Sequence, residues 1–420
     1  MRPHLLEEIQ ADSTLELRLG RAAPEFRTLM EAALAGRELS VEDGVRCLTA
    51  EDDDLVALVA VADAIRQADV GNDVTYIVNR NINFTNVCFI GCKFCAFKRQ
   101  RWEAGAFDAS IEAVLAKVQE AVDRSATEIC LQGGINPEMP PFTYRDILTA
   151  IKQAFPATHV HAFSPMEILY GSRRTGLSYG DYLAMLRNRG LGSIPGTAAE
   201  ILDDNVRKIL SHKKLSVSAW VDIVKTAHSI GIPSSSTVMY GHIETPRHIA
   251  EHVALLRRIQ RDTGGFTEFV PLRFIHQNTE LFRHVMSAEP PSRGVYDLRV
   301  YAFSRLMLRG VIDNVQTSWV KLGYTLAQLS LNAGANDFGG TLMEESISRE
   351  AGADAGEFTT VEEIRRLVDE IGRRPVERTT LYERRDARSE NEAHTDPTTD
   401  NGAGGRNRGR EVSARPDSRC

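Results

Sequence analysis

Apolar residues along the middle of the chain follow two periods, one typical of β-strands and the other typical of α-helices. Short apolar runs end in polar or glycine-rich groups at eight places, 76–84, 128–131, 159–163, 191–194, 236–240, 269–274, 311–315 and 335–338. Such runs predict strands. Between them lie segments such as 111–122, whose apolar positions recur every three or four residues, as expected for helices with one buried face. Strands that alternate with helices favour an α/β fold with a parallel sheet.

Eight strands joined by crossover helices predict a closed (β/α) barrel of the TIM type, with a six-stranded barrel as the alternative. In such barrels the chemistry lies on loops that follow the carboxyl ends of the strands. Polar and glycine-rich groups of this chain fall at those positions, among them Gln132-Gly133-Gly134 and Ser164-Pro165. The predicted active site therefore lies at the carboxyl-terminal mouth of the barrel.

Capping signals mark where several helices begin. Ser40 is followed three residues later by Asp43, which is typical of a capping box. Thr245-Pro246 places a cap before a proline at the first helical position. Asp108 is the predicted cap of the first crossover helix.

The chain divides into four predicted zones. Residues 1–70 form a helical N-terminal extension, and residues 71–345 form the barrel. Residues 346–382 form a C-terminal helix and a short extended segment. Residues 383–420 contain few apolar side chains, so they bury too little surface to offset the entropy of ordering and are predicted to be disordered. An interaction arm is the alternative for this tail.

Three clustered cysteines form the most specific chemical motif, Cys88-Phe-Ile-Gly-Cys92-Lys-Phe-Cys95. Thiolates are soft ligands that bind iron–sulfur clusters, zinc or Cu(I). A cubane 4Fe–4S cluster usually takes four cysteines, so three would leave one iron open to another ligand. A structural zinc site usually adds a second pair of Cys or His ligands, and the other cysteines of this chain stand singly. Zinc and a chance grouping of buried cysteines stay open as alternatives.

Composition and charge narrow the possible partners. The 420 residues can bury a core without disulfide support, and the six cysteines, three of them clustered, do not form a disulfide framework. A formal net charge of −7 argues against nucleic acid as a partner. No apolar run reaches the roughly 18 residues of a membrane span, and no secretion signal is visible at the N-terminus. An exposed low-potential cluster needs a reducing compartment, so a cytoplasmic location is expected.

The cysteine spacing, with the aromatic Phe94 before the last cysteine, resembles the signature of the radical SAM superfamily. The resemblance implies that Cys88, Cys92 and Cys95 hold a 4Fe–4S cluster whose open iron binds S-adenosylmethionine (SAM). It also implies cleavage of SAM to methionine and a 5′-deoxyadenosyl radical, which abstracts hydrogen from the substrate. Phe94 is then expected near the adenine of SAM, with shielding of the cluster as its other role.

Other stretches resemble the tyrosine-using half of FO synthase, the CofH type, over residues 40–382. The approach to the cysteines, 79–88, is similar in FO synthase and in the menaquinone enzymes of the futalosine route. Gly192-Ser-Ile-Pro-Gly-Thr-Ala-Ala-Glu200 resembles the tyrosine-using half, whereas futalosine-route enzymes tend to carry Gly-Gly-Gly-Ala-Glu there. Residues 239–244 and 334–344 are typical of the larger group. A futalosine-route enzyme stays the alternative, and a non-catalytic zinc or iron–sulfur protein is a third reading.

The resemblance implies a transferase of FO and coenzyme F420 biosynthesis. Such an enzyme couples the 4-hydroxybenzyl group of L-tyrosine to 5-amino-6-(D-ribitylamino)uracil, after hydrogen abstraction at the amino nitrogen of tyrosine. The chain carries a single cysteine motif and is too short for both halves of a fused FO synthase. A separate FO-synthase partner subunit and an electron donor are therefore expected.

The same resemblance implies contacts to the cofactor. Gly133 and Gly134 resemble the glycine pair that meets the methionine amino group of SAM, although Ile135 replaces the usual acid and leaves backbone carbonyls for this contact. A tight exit from the strand is the alternative role of the two glycines. Thr197 and Glu200 are expected to reach the ribose or the amino group of SAM, unless Glu200 is only an acid at the start of a helix.

Neutral donors and acceptors at the barrel mouth are the candidates for binding the ribityl chain and the uracil ring. They are His161, Ser164, Tyr240, His242, Gln277 and Asn336. Arg273 is the candidate for the tyrosine carboxylate, because its planar fork suits a carboxylate. For each of these residues, a hydrogen bond within the fold is the alternative role.

Overall fold

Parallel strands form a ring at the centre of the protein, and helices pack against the strands from outside. The computed structural model describes residues 13–286, 289–291 and 293–385. The predicted disorder of residues 386–420, with Cys420 among them, lies outside the described residues. No helix in the described part is both long enough and apolar enough to cross a membrane.

The first half of the ring follows the order of the chain. β1 (Asp73–Ile77) and β2 (Asn79–Asn83) are successive segments that together form the first position of the ring. β2 pairs in parallel with β3 (Glu128–Gln132), and β3 pairs with β4 (His159–Ala162). Residues 193–194 come next, because they bridge in parallel to β4 on one side and to the following strand on the other.

The second half returns to the starting edge. β5 (Ser234–Tyr240) pairs in parallel with β6 (Phe266–Arg273). Residues 315–316 bridge to β6 on one side and to β7 (Asp337–Gly340) on the other. β7 then pairs in parallel with β1 and closes the ring.

The predicted α/β barrel of the TIM type is confirmed, with a ring of eight positions. Its fourth and seventh positions are isolated bridges and not full strands. At the fourth, Pro195 follows at once and has no N–H to continue a ladder. At the seventh, the Val315 N–H donates to Asn336 Oδ1 at 2.9 Å, so a side chain replaces a ladder carbonyl.

Between residue 13 and the ring, the described chain forms four helices, at Leu15–Arg21 (α1), Pro24–Leu34 (α2), Val41–Leu48 (α3) and Asp52–Val70 (α4). The predicted capping box of α3 is confirmed. The Ser40 hydroxyl accepts the Asp43 N–H at 3.1 Å, and the Asp43 carboxylate accepts the Ser40 N–H at 3.0 Å. Gly44 lets α3 approach the barrel helices closely, since a Cβ there would lie 2.8 Å from the Phe303 ring.

The crossover and loop helices follow in chain order. They are α5 (Ile111–Val122), α6 (Thr143–Ala154), α7 (Pro165–Thr175), α8 (Tyr179–Arg187), α9 (Asp204–Ser211), α10 (Val217–Ser229), α11 (Pro246–Thr263), α12 (Glu280–His284), α13 (Val295–Leu308), α14 (Trp319–Leu322) and α15 (Tyr324–Leu331). The predicted cap Thr245 is confirmed, because its hydroxyl accepts the His248 N–H. The prediction for Asp108 is wrong: Ser110 caps α5, and Asp108 accepts hydrogen bonds from Asn136.

The C-terminal element lies against the first strand of the ring. It contains α16 (Ser346–Ala351), α17 (Val361–Glu370) and β8 (Arg374–Glu377), and β8 pairs in parallel with β1. Residues 383–385, predicted to begin the tail, instead fold back, and Arg384 forms an antiparallel bridge with the residue that follows β8. The zone boundaries drawn from the sequence stay predictions.

The amino-terminal end of the barrel is closed by Arg378, which directly follows β8. Its guanidinium pairs with Asp337 at 2.5 Å and lies 3.4 Å from Glu268. Tyr382 packs under this guanidinium, with 3.9 Å from the ring centre to the central carbon, and its hydroxyl donates to Glu268. The opposite end of the barrel is therefore the one open to a ligand.

Candidate active site

A cavity of about 270 Å³ opens at the carboxyl ends of the strands. Its wall is formed by residues of β5 and by the segments that follow β2, β3, β4, β6 and the fourth position of the ring, together with α14 and α16. This is where the sequence predicted the active site. The wall is largely apolar, with a small number of polar groups, as is typical of sites for small molecules.

The loop after β2 brings the three motif cysteines to this cavity. Cys88, Cys92 and Cys95 all line it. The loop is fixed from its own backbone and from a neighbouring helix: the Cys88 N–H donates to Arg99 O at 3.0 Å, and the Lys93 N–H donates to Leu210 O at 2.9 Å. A side chain within the approach motif also braces it, since Asn86 Nδ2 donates to the carbonyl of Gly105.

The cysteine loop suits a polynuclear cluster. Burial raises the pKa of the Cys95 thiol, and the backbone N–H groups of Lys98 and Phe97 oppose this shift, an influence of the kind that tunes iron–sulfur clusters. No three Cys, His, Asp or Glu side chains of the described residues converge as they would around one metal ion. A cluster does not require this convergence, because each cysteine binds a different iron.

Gly133 and Gly134, which follow β3, line the cavity and pack against the approach to the cysteines. A Cβ at Gly134 would lie 2.3 Å from Val87 O, and a Cβ at Gly133 would lie 2.5 Å from the Phe84 ring. No side chain fits at either position, which agrees with the tight exit from the strand that was the alternative role of these glycines. The expected contact of the two glycines with SAM stays a prediction, and the close packing is compatible with that contact.

Glu200 projects into the cavity from the segment after the fourth position of the ring. Its Oε1 accepts a hydrogen bond from Lys214 Nζ at 2.6 Å, while its buried Oε2 lies 3.5 Å from Arg207 and accepts no hydrogen bond. The alternative that Glu200 only starts a helix is wrong, because α9 begins later and Asp203 is its cap. An unsatisfied buried carboxylate oxygen in a cavity fits a ligand that carries donors.

Thr197 and Phe94 also line the cavity. The Thr197 hydroxyl donates to Gln132 Oε1 at 3.3 Å. The Lys214 ammonium lies 5.3 Å from the centre of the Phe94 ring, so Phe94 packs beneath a buried cation next to the cysteine loop. The cysteines, the glycine exit and Glu200 together form a set that fits a cluster and SAM.

Ser164 and Glu167 cap α7 at the cavity wall. The Ser164 hydroxyl and N–H both donate to Glu167 Oε2 at 2.7 Å, and the Gly133 N–H donates to Glu167 Oε1 at 3.0 Å. Burial raises the pKa of Glu167 to about 7, although these hydrogen bonds favour its ionised form. Glu167 can therefore gain or lose a proton near neutral pH.

Arg273, the candidate for the tyrosine carboxylate, lines the cavity but is already paired. Its guanidinium binds both oxygens of Asp297, at 2.7 and 2.9 Å, and also donates to Pro291 O at 2.5 Å. Asp297 additionally accepts a hydrogen bond from the Tyr240 hydroxyl at 2.7 Å. Arg273 and Tyr240 thus share one buried acid.

The remaining substrate candidates lie outside the cavity wall. Buried His161 contacts Ser193 Oγ at 2.6 Å, and burial lowers its pKa to about 4. His242 Nε2 donates to Met239 O at 3.0 Å, and Gln277 is exposed. Asn336 lies just before β7, at the opposite end of the barrel, where its Oδ1 also accepts from Arg305 at 2.6 Å. The substrate roles of these residues stay predictions. All of them except the exposed Gln277 form hydrogen bonds within the fold.

Several residues of the cavity wall were not predicted from the sequence. They are Asn83, Asn86, Gln132, Glu167, Lys214 and Lys321. The two asparagines belong to the approach motif, and Gln132 precedes the glycine pair, so their place beside those motifs was a usable signal. The lysines had no such signal, because each reaches the cavity from a helix or loop without a recognisable pattern.

Comparison with known proteins places these features in a family. Residues 82–256 match the radical SAM superfamily, and residues 263–391 match the CofH/MqnC C-terminal region. A 5-amino-6-(D-ribitylamino)uracil–L-tyrosine 4-hydroxyphenyl transferase of Methanothermobacter thermautotrophicus is 51% identical over 329 residues, which cover 78% of this chain and 89% of that protein. An FO synthase of Nocardia farcinica is 50% identical over 351 residues. That match covers 83% of this chain but only 40% of the FO synthase.

Solved structures agree on the fold. Methylornithine synthase (PylB) superposes with a TM-score of 0.64 at 18% identity, over 87% of this chain and 99% of that chain. The hydrogenase maturase HydG of Carboxydothermus hydrogenoformans superposes with a TM-score of 0.68 at 15% identity, over 90% of this chain and 86% of that chain.

The matches confirm the resemblance seen in the sequence and overturn the reading as a non-catalytic metal protein. The 51% identity extends over most of this chain and over most of the Methanothermobacter transferase. The chain therefore belongs to the radical SAM superfamily and, within it, to the family of the 5-amino-6-(D-ribitylamino)uracil–L-tyrosine 4-hydroxyphenyl transferases.

Proposed function

We propose that the protein couples the 4-hydroxybenzyl group of L-tyrosine to 5-amino-6-(D-ribitylamino)uracil, as a step in FO and coenzyme F420 biosynthesis. The observation that carries the proposal is the 51% identity to a transferase of that name over 89% of its length. The cavity also supports the proposal, because the cysteine loop and the residues available to bind substrates line the same space, and cofactor and substrates must meet there.

Radical SAM enzymes bind a 4Fe–4S cluster and SAM. In this chain Cys88, Cys92 and Cys95 would hold the cluster. Glu200 Oε2, which lies 3.5 Å from Arg207 and accepts no hydrogen bond within the fold, would accept one from SAM. The bound pair supplies a 5′-deoxyadenosyl radical for hydrogen abstraction. The residues of the protein bind and orient the substrates and keep competing reagents away.

Apolar side chains of the wall protect a radical from water and from competing hydrogen donors. They include Ile135, Met166, Leu272, Phe274 and Ile275. Such residues exclude water and strengthen the polar contacts that remain in the cavity.

Polar groups of the wall suit the two substrates. Asn83 and Gln132 offer neutral donors and acceptors of the kind that a uracil ring and a ribityl chain require, whereas the Asn86 amide is held by Gly105 and Phe107. Glu167 would take up the proton that the ammonium group of tyrosine must lose before hydrogen is abstracted from its nitrogen, since burial raises the pKa of this carboxyl to about 7.

Two partners belong to the proposal. The chain spans about 40% of the length of the matched FO synthases, so a separate protein would catalyse the step that closes the deazaflavin ring. An electron donor would reduce the cluster. A low-potential cluster near a protein surface needs a reducing compartment, which favours the cytoplasm.

The test is release of 5′-deoxyadenosine from the anaerobically reconstituted protein with dithionite and SAM, followed by mass spectrometry. Tyrosine and the ribitylaminouracil are added singly and together. Release that depends on tyrosine, with a coupled product only when both substrates are present, is the expected result. Release that is indifferent to both substrates would contradict the proposal and direct the search to futalosine-type substrates.

A further inference from the structure

Four cationic side chains line the cavity in the described part of the chain, and three of them are neutralised by carboxylates. The pairs are Lys98 with Glu280 at 3.4 Å, Lys214 with Glu200 at 2.6 Å and Arg273 with Asp297 at 2.7 Å. A substrate anion would have to compete with a protein carboxylate for any of these three cations. The fourth, Lys321, is in a different situation.

Lys321 lines the cavity without an acidic partner among the described residues. Its ammonium donates one hydrogen bond, to the neutral Ser348 hydroxyl at 2.9 Å. An ammonium group has three donors, so two are left for another acceptor. Burial lowers the pKa of Lys321, and the more distant Glu345 opposes this shift. A cation removed from water without a counter-ion is costly to the fold, unless a ligand supplies the missing charge.

The backbone that carries Lys321 is firmly placed. Lys321 belongs to the short helix α14, whose Trp319 is buried and donates from its indole nitrogen to Gly340 O at 2.9 Å. The N–H groups of Lys321 and Leu322 donate to Ser318 O. The ammonium is therefore presented to the cavity by a fixed support.

Lys321 and the residues that fit the cofactor occupy different parts of the ring. The cysteines, the glycine exit and Glu200 follow its first, second and fourth positions, whereas α14 follows the seventh. Ile347 and Ala351 of α16 border the cavity near Lys321 and give it an apolar surrounding. An anion bound there would lie on the substrate side of the cavity.

We propose that Lys321 binds the carboxylate of L-tyrosine and thereby selects an amino acid at this site. The inference rests on the proposed function, in which tyrosine is the substrate with a carboxylate and the ribitylaminouracil offers neutral groups. SAM also carries a carboxylate, so the experiment must separate the two sources. Arg273, favoured by the sequence, is held by Asp297 and is replaced in this role by Lys321.

The experiment compares the affinities of the reconstituted, SAM-loaded protein for L-tyrosine and for tyramine, which lacks the carboxylate, by anaerobic equilibrium dialysis. The wild-type protein should prefer tyrosine by about tenfold to a hundredfold, the range of a charge-assisted hydrogen bond. Lys321→Met should abolish this preference by weakening tyrosine binding, with tyramine binding unchanged. Lys321→Arg should retain much of it, since the charge is kept.

Lys98→Met is the matched control, because Lys98 lines the same cavity but is paired with Glu280. It should keep the preference for tyrosine. Iron content and circular dichroism verify that each variant is folded, and Lys321→Gln serves as a second neutral variant should Lys321→Met fail to fold.

Three results would overturn the inference. A neutral variant that keeps the wild-type preference for tyrosine would show that Lys321 does not bind the carboxylate, while tyrosine-dependent release of 5′-deoxyadenosine would leave the proposed function intact. Weaker SAM binding with unchanged tyrosine binding would assign Lys321 to the carboxylate of SAM. A wild-type protein that binds no tyrosine at all would overturn both the inference and the proposed function.

Discussion

Glu200 is held in a left-handed backbone conformation with a φ of +40°, and Ala198 nearby has a φ of +62°. Such conformations cost non-glycine residues on the order of 1–3 kcal/mol each and persist where the surroundings over-determine them. Here the buried Arg207 donates to the carbonyls of Ala198 at 3.1 Å and Ala199 at 2.6 Å. One arginine thus holds the strained turn that directs Glu200 into the cavity.

The cysteine assignment leads to a prediction for a single residue. Cys92→Ala should lose the bound cluster and all release of 5′-deoxyadenosine, because a cubane held by three thiolates has no replacement ligand nearby. The fold should survive, since the change to alanine removes only one sulfur atom from the buried core. Iron and sulfide analysis, with circular dichroism, checks this outcome.

Cys130→Ala is the matched control for this variant. Cys130 lies on β3 outside the motif, and it does not belong to the cavity wall that the three motif cysteines share. It should retain wild-type iron. Normal iron content in the Cys92 variant would contradict the cluster assignment.

At this scale, the predictable part of the site was the part with local sequence patterns. The three cysteines, the glycine pair and Glu200 lie in short motifs, and all of them line the cavity. The sequence could not decide which cation is free, because that depends on partners distant in the chain. Arg273 finds Asp297 through tertiary packing, and Lys321 finds Ser348 in the same way.

Among the elements, α11 is joined to the cavity through His252. Its Nδ1 accepts the Leu202 N–H at 3.0 Å, and its Nε2 donates to Thr237 O at 2.9 Å. These bonds fix one neutral tautomer, since a proton on Nδ1 would face an N–H group. The helix thereby supports both β5 and the turn that carries Glu200.

His252→Leu should lower the free energy of unfolding of the cluster-free protein by about 2–4 kcal/mol at pH 7, because a buried N–H and a buried carbonyl lose their partners. Urea unfolding measures this loss. His284→Leu, at an exposed position on α12, is the control and should change the stability little.

The stability of the wild-type protein and of His252→Leu should also depend differently on pH. Burial, with a smaller contribution from Arg207, lowers the pKa of His252 to about 3 from an ordinary value of 6.5. Below pH 6.5, His252 therefore binds a proton in the unfolded chain but stays neutral in the folded protein. The free energy of unfolding accordingly falls as the pH drops from 6.5 towards 3. The leucine variant lacks this loss, and the difference between the two proteins should shrink by about 2 kcal/mol from pH 7 to pH 5. Parallel pH curves would contradict the assignment.

The elements themselves were largely predictable, because apolar period and capping residues are local properties. All eight ring positions lie within the predicted runs or overlap them. The sequence did not show which of two neighbouring polar residues caps a helix. Ser110 caps α5 in preference to Asp108, since the aspartate is drawn to Asn136 across a loop. The lengths of the strands at the fourth and seventh positions depended on a proline and on the side chain of Asn336.

For the whole molecule, closure of the barrel depends on its two ends meeting. β1, the first strand, lies between β7 and β8, the last two. Arg378 completes the closure by pairing with Asp337 and Glu268 inside the barrel. Burial raises the pKa of Glu268 to about 7, and Arg378 opposes this shift.

Arg378→Leu should lower the free energy of unfolding by about 3–5 kcal/mol, because it leaves buried carboxylates without their cation. Urea unfolding at neutral pH checks this magnitude. Arg384→Leu is the matched control: Arg384 pairs with Asp73 at 2.8 Å, but 58% of its side chain is exposed. Exposed pairs are worth at most about 1 kcal/mol, so equal losses in the two variants would contradict the role of Arg378.

The late position of Arg378 also sets the order of events during synthesis. A ribosome releases β1 long before β7, β8 and Arg378, so the barrel stays open through most of translation, and Glu268 and Asp337 lack their cation until Arg378 follows. Such intermediates expose apolar surface and engage chaperones. Chains terminated before Arg378 should therefore be degraded.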